Sequence, residues 1–304
     1  MRPKYYALFV FFSLLFLFYP GDSPTFQLFA FHRKNFQKEP SLPLVTSFVP
    51  VLRVTSTPVV SAEGVYITDL ASFTPIFAKN EHLHLYPAST TKIITALVVM
   101  DSFKLDDVIT VKQVKNEGQT MGLVPGERIT VENLLYGLLV HSGNDAAYAF
   151  ADFYGYDAFI SLMNKKAEAL HMKDSHFANP AGLDDDSQVV TPFDLSLAGR
   201  ELLKNPELKK IVSTKAITIS DVDFQIFHKL ENVNKLLGEV QGIGGLKTGY
   251  TEAAGENLVS FYKKHGHEFL IVILKSTDRF ADTRSVVSWV DGNVEYVDMK
   301  PLLQ

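Results

Sequence analysis

The chain has 304 residues, of which 46% are hydrophobic and 21% are charged, a composition typical of a packed globular protein and not of a disordered one. Its formal net charge of -5 lacks the basic excess expected of a nucleic-acid-binding protein, so we predict no nucleic-acid partner. The absence of cysteine excludes disulfides, thiolate metal sites, a cysteine nucleophile and a lipid-modified cysteine anchor.

Residues 1–20 are predicted to be a signal peptide or an N-terminal membrane anchor. Arg2 and Lys4 precede an uncharged run from Tyr5 to Tyr19, which is typical of both. The run is slightly short for a spanning helix, which needs about 17–25 residues, and no clear small-residue cleavage site follows it. The early positive charges place the N-terminus in the cytoplasm and the rest of the chain outside, in the cell envelope. An uncleaved segment would contact the cytoplasmic membrane.

The next segment, residues 21–59, is rich in Pro, Ser and Thr and has no sustained hydrophobic period, which predicts a linker. Residues 60–295 have regular patterns and are predicted to form one folded domain. Residues 296–304 are predicted to be a C-terminal tail, too short for a further domain or an amphipathic membrane-binding helix.

In chain order, the folded part begins with a predicted strand, continues with several helices, and ends with strands and a helix. The predicted helices are Thr90–Phe103, Ile129–Val140, Ala146–Tyr154, Ala158–Leu170, Pro192–Leu203 and Ala281–Val290, and the predicted strands are Gly64–Leu70, Lys215–Ser220, Leu246–Tyr250, Asn257–Tyr262 and Phe269–Leu274. Thr130 and Thr191 are predicted helix caps. This order differs from βαβ alternation, so we predict an antiparallel sheet shared by the first and last segments, with a helical insertion.

The first candidate motif is Ser89-Thr90-Thr91-Lys92. Helical spacing places the hydroxyl and the amine on one face, where Lys92 can act as the base that Ser89 needs to become a nucleophile. Alone the motif is weak, because Ser260-Phe261-Tyr262-Lys263 matches it too. That second copy lies in a predicted strand, where positions three apart face opposite ways, so we exclude it.

The second and third candidate motifs follow in order along the chain. Ser142-Gly143-Asn144 comes directly after a predicted helix and could present a hydroxyl and an amide to a cleft, but by itself it is better explained as the end of one helix and the cap of the next. Lys247-Thr248-Gly249 lies on a predicted strand, where the glycine allows close approach to the backbone and the lysine can hold a carboxylate. Alternation predicts Lys247 and Gly249 on one face of the strand and Thr248 on the other.

Together the three motifs resemble the signatures of penicillin-recognising serine enzymes. The segments PASTTKIITALVVMD, HSGNDAA, NPAGL, NVNKLL and GLKTGYTEAAGENLVS closely resemble the D-alanyl-D-alanine carboxypeptidases, the low-molecular-mass penicillin-binding proteins. The resemblance covers residues 60–295. It implies a mixed α/β fold of the α+β type, β-lactamase/transpeptidase-like, with an antiparallel five-stranded sheet flanked by helices and a helical subdomain.

The resemblance also implies a serine-type carboxypeptidase that removes the terminal D-alanine from peptidoglycan stem peptides ending in D-Ala-D-Ala, with β-lactams as covalent inhibitors. Ser89 would be the nucleophile, Lys92 its base, and Ser142 a proton carrier. The expected substrate-binding residues are Asn144, Lys247, Thr248, Gly249, Tyr250 and Arg284. Among these, Lys247, Thr248 and Arg284 would hold the terminal carboxylate, and the backbone N–H groups of Ser89 and Tyr250 would form the oxyanion hole.

Several alternatives stay open at this stage. A D,D-endopeptidase or transpeptidase would use the same site, and a serine β-lactamase would add a glutamate, for which Glu231 is the candidate. A catalytically idle sensor would lack a motif residue, and none is missing. The histidine pairs His82/His84 and His265/His267 have no third ligand at recognisable spacing, so no metal or cofactor is predicted.

Overall fold

The computed structural model describes residues 3–18, 47–53 and 56–299. The chain divides into two units, Met1–Ser47 with Met299–Gln304, and Phe48–Asp298. In the first unit, helix α1 spans Pro3–Phe18. No helix within the described ranges has the length and apolar character that crossing a bilayer requires. The rest of the predicted segment 1–20, and most of the linker, lie outside the described residues.

The second unit is built on a five-stranded antiparallel sheet, as the resemblance implies. Its strands are β2 (Gly64–Asp69), β3 (Pro75–Lys79), β8 (Ile243–Thr251), β9 (Gly255–Lys264) and β10 (His267–Ser276), in the spatial order β3-β2-β10-β9-β8. The first strand of the domain therefore pairs with the last, with Ile67 opposite Ile271. Strand β8 lies at one edge, so one side of its backbone is open to a ligand.

A long helical insertion connects β3 to β8. A 3₁₀ turn (Ala88–Thr91) leads into α2 (Lys92–Ser102), and then follow α3 (Val131–Leu139), α4 (Asn144–Tyr154), α5 (Tyr156–Ala169), α6 (Pro192–Lys204) and α7 (Pro206–Val212). As predicted, the Thr130 side chain accepts from Asn133 N at the start of α3, and Thr191 accepts from Asp194 N at the start of α6.

Helices cover both faces of the sheet, which divides the buried side chains into two clusters. Along β2, Tyr66 belongs to the larger cluster with the helical insertion, whereas Val65 and Ile67 belong to a smaller one. The smaller cluster includes Val286 and Val290 of the last helix, α8 (Arg279–Asn293). Because both faces are covered, all six residues of β2 are buried.

Two short antiparallel pairs complete the insertion, and a third pair joins the ends of the domain. The pairs are β4 (Val108–Thr110) with β5 (Arg128–Thr130), β6 (Ala216–Ser220) with β7 (Phe227–Glu231), and β1 (Ser47–Leu52) with β11 (Val294–Met299). Strands β1 and β11 fall within the predicted linker and at the predicted tail boundary. Their pairing joins segments at opposite ends of the sequence, which no local pattern reveals.

One predicted helix is corrected at its start. The segment Ile129–Val140 has continuous apolar character, but Ile129 pairs with Ile109 in the β4–β5 ladder, and the helix begins only at Val131. Thr130 is the boundary between the two because its extended backbone ends the strand while its hydroxyl caps the helix.

Candidate active site

The first motif lies at the junction of the 3₁₀ turn and helix α2, which together occupy the predicted helix Thr90–Phe103. The Lys92 amine is 2.8 Å from the Ser89 hydroxyl oxygen, so the spacing brings both groups together as expected. The turn is held from the sheet by Asn257, whose side chain donates to the carbonyls of Tyr86 at 2.9 Å and Pro87 at 3.0 Å. Ser89 is thus presented by a turn that the sheet fixes in place.

The Lys92 side chain is completely buried and has three hydrogen-bond acceptors around its nitrogen. Besides Ser89 Oγ, these are Asn144 Oδ1 and Ala181 O, each at 2.6 Å. Burial lowers the pKa of the Lys92 amine to about 7, against a smaller opposing effect of the Asp145 carboxylate. A lysine that is partly neutral near pH 7 is suited to act as a general base.

The three hydrogen-bond partners of Lys92 Nζ determine where the hydrogens and the lone pair of the neutral amine point. A neutral amine has two hydrogens and one lone pair, and the oxygens of Asn144 and Ala181 are acceptors only. Both hydrogens are therefore directed at these two oxygens, and the lone pair faces the Ser89 hydroxyl. After taking up a proton, the ammonium has three donors for the same three oxygens.

The second motif connects α3 to α4. Ser142 has a φ of +65°, a left-handed conformation that is uncommon for a residue other than glycine and that often accompanies functional sites. Asn144 begins α4, and its Nδ2 donates to Glu117 O at 2.7 Å, which orients its Oδ1 towards Lys92. The segment is thus a helix junction and also a wall of the site.

The third motif lies on the edge strand β8. A Cβ on Gly249 would lie 3.0 Å from Ala88 Cβ, 3.1 Å from Pro87 O and 3.1 Å from Ser89 N, so a glycine permits the close approach of β8 to the serine turn. The cavity is bordered by the edge of β8 and not by one face of the strand. Consecutive residues therefore line it, namely Thr248, Gly249 and Tyr250. The predicted alternation of faces therefore does not separate Thr248 from the site.

Lys247 is 2% exposed, and its amine donates to Thr248 O at 3.0 Å. Burial, and then the nearby charges of Lys92 and Arg279, hold the pKa of the Lys247 amine well below its ordinary value. Arg279, together with either lysine when it is protonated, gives this end of the site a positive field that favours a bound carboxylate.

The structure corrects the position of the predicted arginine. Arg284 lies at the surface, where its guanidinium pairs with Glu239 at 2.5 Å, and it does not line the cavity. Arg279, in the same segment DRFADTR, does line it and donates to Gly249 O at 2.7 Å. Five positions correspond to roughly 140° around a helix, so the two side chains of α8 face different sides.

The cavity has a volume of about 250 Å³. Its lining residues are Ser89, Gln119, Ser142, Val233, Thr248, Gly249, Tyr250 and Arg279. No carboxylate is among them, and Glu231, the candidate for a β-lactamase glutamate, ends β7 with an exposed side chain. Within residues 3–18, 47–53 and 56–299, no group of three or more His, Asp or Glu side chains could hold a metal ion.

Three residues near the site were given no role by the sequence analysis. Gln119 lies in an irregular segment that no quoted motif covers, whereas Val233 and Asn257 lie within the quoted segments NVNKLL and GLKTGYTEAAGENLVS but were not singled out. The discarded pair Ser260 and Lys263 lies on β9, with the serine fully buried and the lysine exposed.

Comparisons with known proteins agree with this geometry. A family model described as D-alanyl-D-alanine carboxypeptidase matches residues 52–278. The D-alanyl-D-alanine carboxypeptidase DacD of Escherichia coli is 33% identical over 263 residues, covering 80% of this chain and 66% of the relative. DacF of Bacillus subtilis is 30% identical over 236 residues, covering 75% of this chain and 60% of the relative. The chain thus spans less than two thirds of the length of these two relatives.

Among solved structures, that of the Streptomyces K15 DD-transpeptidase matches with a TM-score of 0.74 and 30% sequence identity. The match covers 78% of this chain and 99% of that chain. The shared region is therefore nearly the whole of that enzyme.

Proposed function

We propose, since the chain belongs to the D-alanyl-D-alanine carboxypeptidase family, that it is a serine-type carboxypeptidase that removes the terminal D-alanine from peptidoglycan stem peptides. The observation that carries the proposal is the 2.8 Å contact between the buried Lys92 amine and the Ser89 hydroxyl. The contact joins a nucleophile to a base whose pKa is about 7, beside Lys247 and Arg279, whose side chains are suited to bind a terminal carboxylate.

In the acylation step, Ser89 Oγ attacks the carbonyl carbon of the penultimate D-alanine while its proton moves to Lys92 Nζ. Negative charge develops on the carbonyl oxygen, and the backbone N–H groups of Ser89 and Tyr250 stabilise it. The bond to the terminal D-alanine then breaks as its nitrogen takes up a proton, and Ser142 carries that proton from Lys92. The product is an ester on Ser89, which water hydrolyses with Lys92 again as the base.

Binding of the substrate depends on the wall of the cavity that β8 and Arg279 form. Lys247, Thr248 and Arg279 hold the terminal carboxylate, with Arg279 in the role that the sequence analysis assigned to Arg284. Asn144 orients the peptide from the other side and fixes the Lys92 amine. Gly249 allows β8 to approach Ser89, which keeps the carboxylate site close to the nucleophile.

A transpeptidase or endopeptidase activity is the second candidate, favoured by the match to an enzyme described as a DD-transpeptidase. It uses the same acyl-enzyme, and in transpeptidation an amine replaces water as the acceptor. A β-lactamase is disfavoured because no carboxylate lines the cavity to activate a deacylating water. The same site makes β-lactams covalent inhibitors with a persistent adduct.

The N-terminal segment, residues 1–20, delivers the chain to the outer face of the cytoplasmic membrane, either as a cleaved signal or as an anchor. Its support is the basic start and the uncharged run from Tyr5 to Tyr19. Fractionation of cells that express the full chain, with N-terminal sequencing of the product, distinguishes the two.

The test is to incubate the protein with a fluorescent penicillin and with diacetyl-L-lysyl-D-Ala-D-Ala, using Ser89→Ala as the control. The proposal requires labelling of Ser89 and release of D-alanine, both lost in the variant. Failure of both contradicts it. Rapid penicillin turnover without D-alanine release would identify a β-lactamase.

A further inference from the structure

The segment NPAGL, residues 179–183, lies between helices α5 and α6 and contributes one backbone carbonyl to the site. That carbonyl belongs to Ala181 and accepts from the Lys92 amine at 2.6 Å. It is one of the two oxygens at which the hydrogens of the neutral amine are directed, so its position decides whether the lone pair faces Ser89. A residue that fixes this carbonyl therefore acts on the reaction through Lys92.

The Ala181 carbonyl is fixed by the side chain of Asn179, which is 8% exposed. Asn179 Oδ1 accepts from the backbone nitrogens of Gly182 at 2.8 Å, Leu183 at 3.0 Å and Ala181 at 3.3 Å. Its Nδ2 donates to Leu183 O at 3.0 Å. An asparagine that binds backbone N–H groups two or more residues ahead holds the chain in a tight turn. This Asn179 turn, residues 179–183, presents the Ala181 carbonyl to Lys92.

The Asn179 turn packs directly against the serine turn and helix α2. Gly182 has a φ of +87°, and a Cβ there would overlap Ala88 O, so only a glycine permits this contact between the two backbones. On the other side, Thr95 Oγ1 of α2 donates to Pro180 O at 2.7 Å. The two contacts join the Asn179 turn to the elements that carry the nucleophile and the base, which leaves the Ala181 carbonyl little freedom to move.

Building on the proposed carboxypeptidase function, we propose that Asn179 is a positioning residue that holds the Ala181 carbonyl against the Lys92 amine and so keeps the lone pair of the neutral amine directed at Ser89. Without the Asn179 side chain, the carbonyl is released and one amine hydrogen competes with the lone pair for the Ser89 hydroxyl oxygen. The ammonium form also loses an acceptor. Because hydrogen bonds from a charged donor are stronger than neutral ones, the ammonium loses more than the neutral amine does.

The test is Asn179→Leu, which keeps the approximate size of the side chain and removes both of its hydrogen-bonding groups. The limiting rate of Ser89 labelling by a fluorescent penicillin should fall about 10- to 100-fold, as expected when a reacting group is misplaced by about an ångström. The half-saturating concentration of the penicillin should stay within about twofold, because Lys247, Thr248 and Arg279 are unchanged. The pH at which the rate is half-maximal should fall by about half a unit to one unit.

Two further variants separate this role from a general loosening of the fold. Asn164→Leu is the matched control, because Asn164 also bridges backbone groups, donating to Ile160 O and Phe177 O and accepting from Phe177 N, and none of these groups bonds to Lys92. It should lower Tm to a similar degree but retain the limiting rate and pH midpoint of wild type. Asn179→Ser is the conservative variant. A serine hydroxyl forms the same kind of turn more weakly, so it should recover part of both effects.

A wild-type limiting rate and pH midpoint in Asn179→Leu would overturn the inference, as would equal kinetic losses in Asn179→Leu and Asn164→Leu. If Asn179→Leu does not fold, Asn179→Ser decides against wild type: a lower rate and midpoint are expected, and unchanged values contradict the proposed role. Labelling of Ser89 and D-alanine release by wild type test the proposed function separately. If these succeed and Asn179→Leu equals wild type, only the role of Asn179 fails.

Discussion

The Lys92 nitrogen lies 2.8 Å from the Ser89 hydroxyl oxygen, and no part of the lysine side chain is exposed to solvent. Removal from water disfavours the ammonium form, and none of the three oxygens around the nitrogen belongs to a carboxylate. The nearest opposing influence, from Asp145, only partly compensates. The contact therefore combines hydrogen-bond geometry with the charge state that proton abstraction requires.

The first prediction concerns the pH dependence of acylation. Because the Lys92 amine must be neutral to accept the Ser89 proton, and its pKa is about 7, the acylation rate should rise with pH below 7 and level off above it. Well below pH 7 the expected slope is about tenfold per pH unit. The measurement is the rate of Ser89 labelling by a fluorescent penicillin between pH 5 and 9, and a rate that is constant or falls across that range would contradict it.

The second prediction concerns stability. The pKa of Lys92 in the folded protein, about 7, is below its ordinary value of 10.5, so between these values the unfolded chain binds a proton that the folded chain does not. The contribution of this group to stability therefore increases as pH rises through the window. Relative to Lys92→Met, the free energy of unfolding of wild type should rise by roughly 3–4 kcal/mol between pH 7 and 10.

Chemical denaturation of both proteins at several pH values measures this difference. Groups distant from Lys92 titrate in both proteins and largely cancel, whereas the Lys247 amine, whose pKa the charge of Lys92 lowers, also contributes to the difference. A difference that stays constant from pH 7 to 10 would mean that Lys92 is protonated in the folded state throughout.

The third prediction concerns the approach of β8 to the serine turn. In Gly249→Ala the new Cβ meets Ala88 Cβ and the backbone of Pro87 and Ser89 at 3.0–3.1 Å, so the strand and the turn must separate by a few tenths of an ångström. Overpacking of this kind destabilises by about 1–3 kcal/mol, and displacement of the nucleophile should slow acylation about 10- to 100-fold.

Gly292→Ala is the matched control, because a Cβ there meets nothing within 4 Å and the residue lies in α8. It should acylate like wild type and be slightly more stable, since alanine favours a helix by about 1 kcal/mol over glycine. Equal acylation by Gly249→Ala and Gly292→Ala would show that the close approach does not position Ser89.

The sequence predicted the parts of this molecule that depend on local spacing. Ser89 and Lys92 share a helical face, and the capping threonines mark the starts of two helices, because these relationships lie within four residues. The pairing of β1 with β11 connects opposite ends of the chain, so no window of sequence contains it. Gln119 was missed because its position depends on hydrogen bonds to residues far along the chain.

The two arginines of α8 provide the last prediction. Arg279 lines the cavity, is partly buried and donates to Gly249 O, whereas Arg284 forms a surface ion pair with Glu239. A residue that binds the substrate carboxylate contributes to binding of the peptide, while an exposed ion pair contributes about 0–1 kcal/mol to stability and nothing to the reaction.

Arg279→Ala should therefore raise KM for diacetyl-L-lysyl-D-Ala-D-Ala at least about tenfold, as expected for loss of a charged hydrogen bond. Arg284→Ala should retain wild-type kinetics and a Tm within a few degrees. Steady-state D-alanine release and thermal unfolding of the two variants test both statements, and a larger kinetic loss in Arg284→Ala than in Arg279→Ala would return the carboxylate role to Arg284.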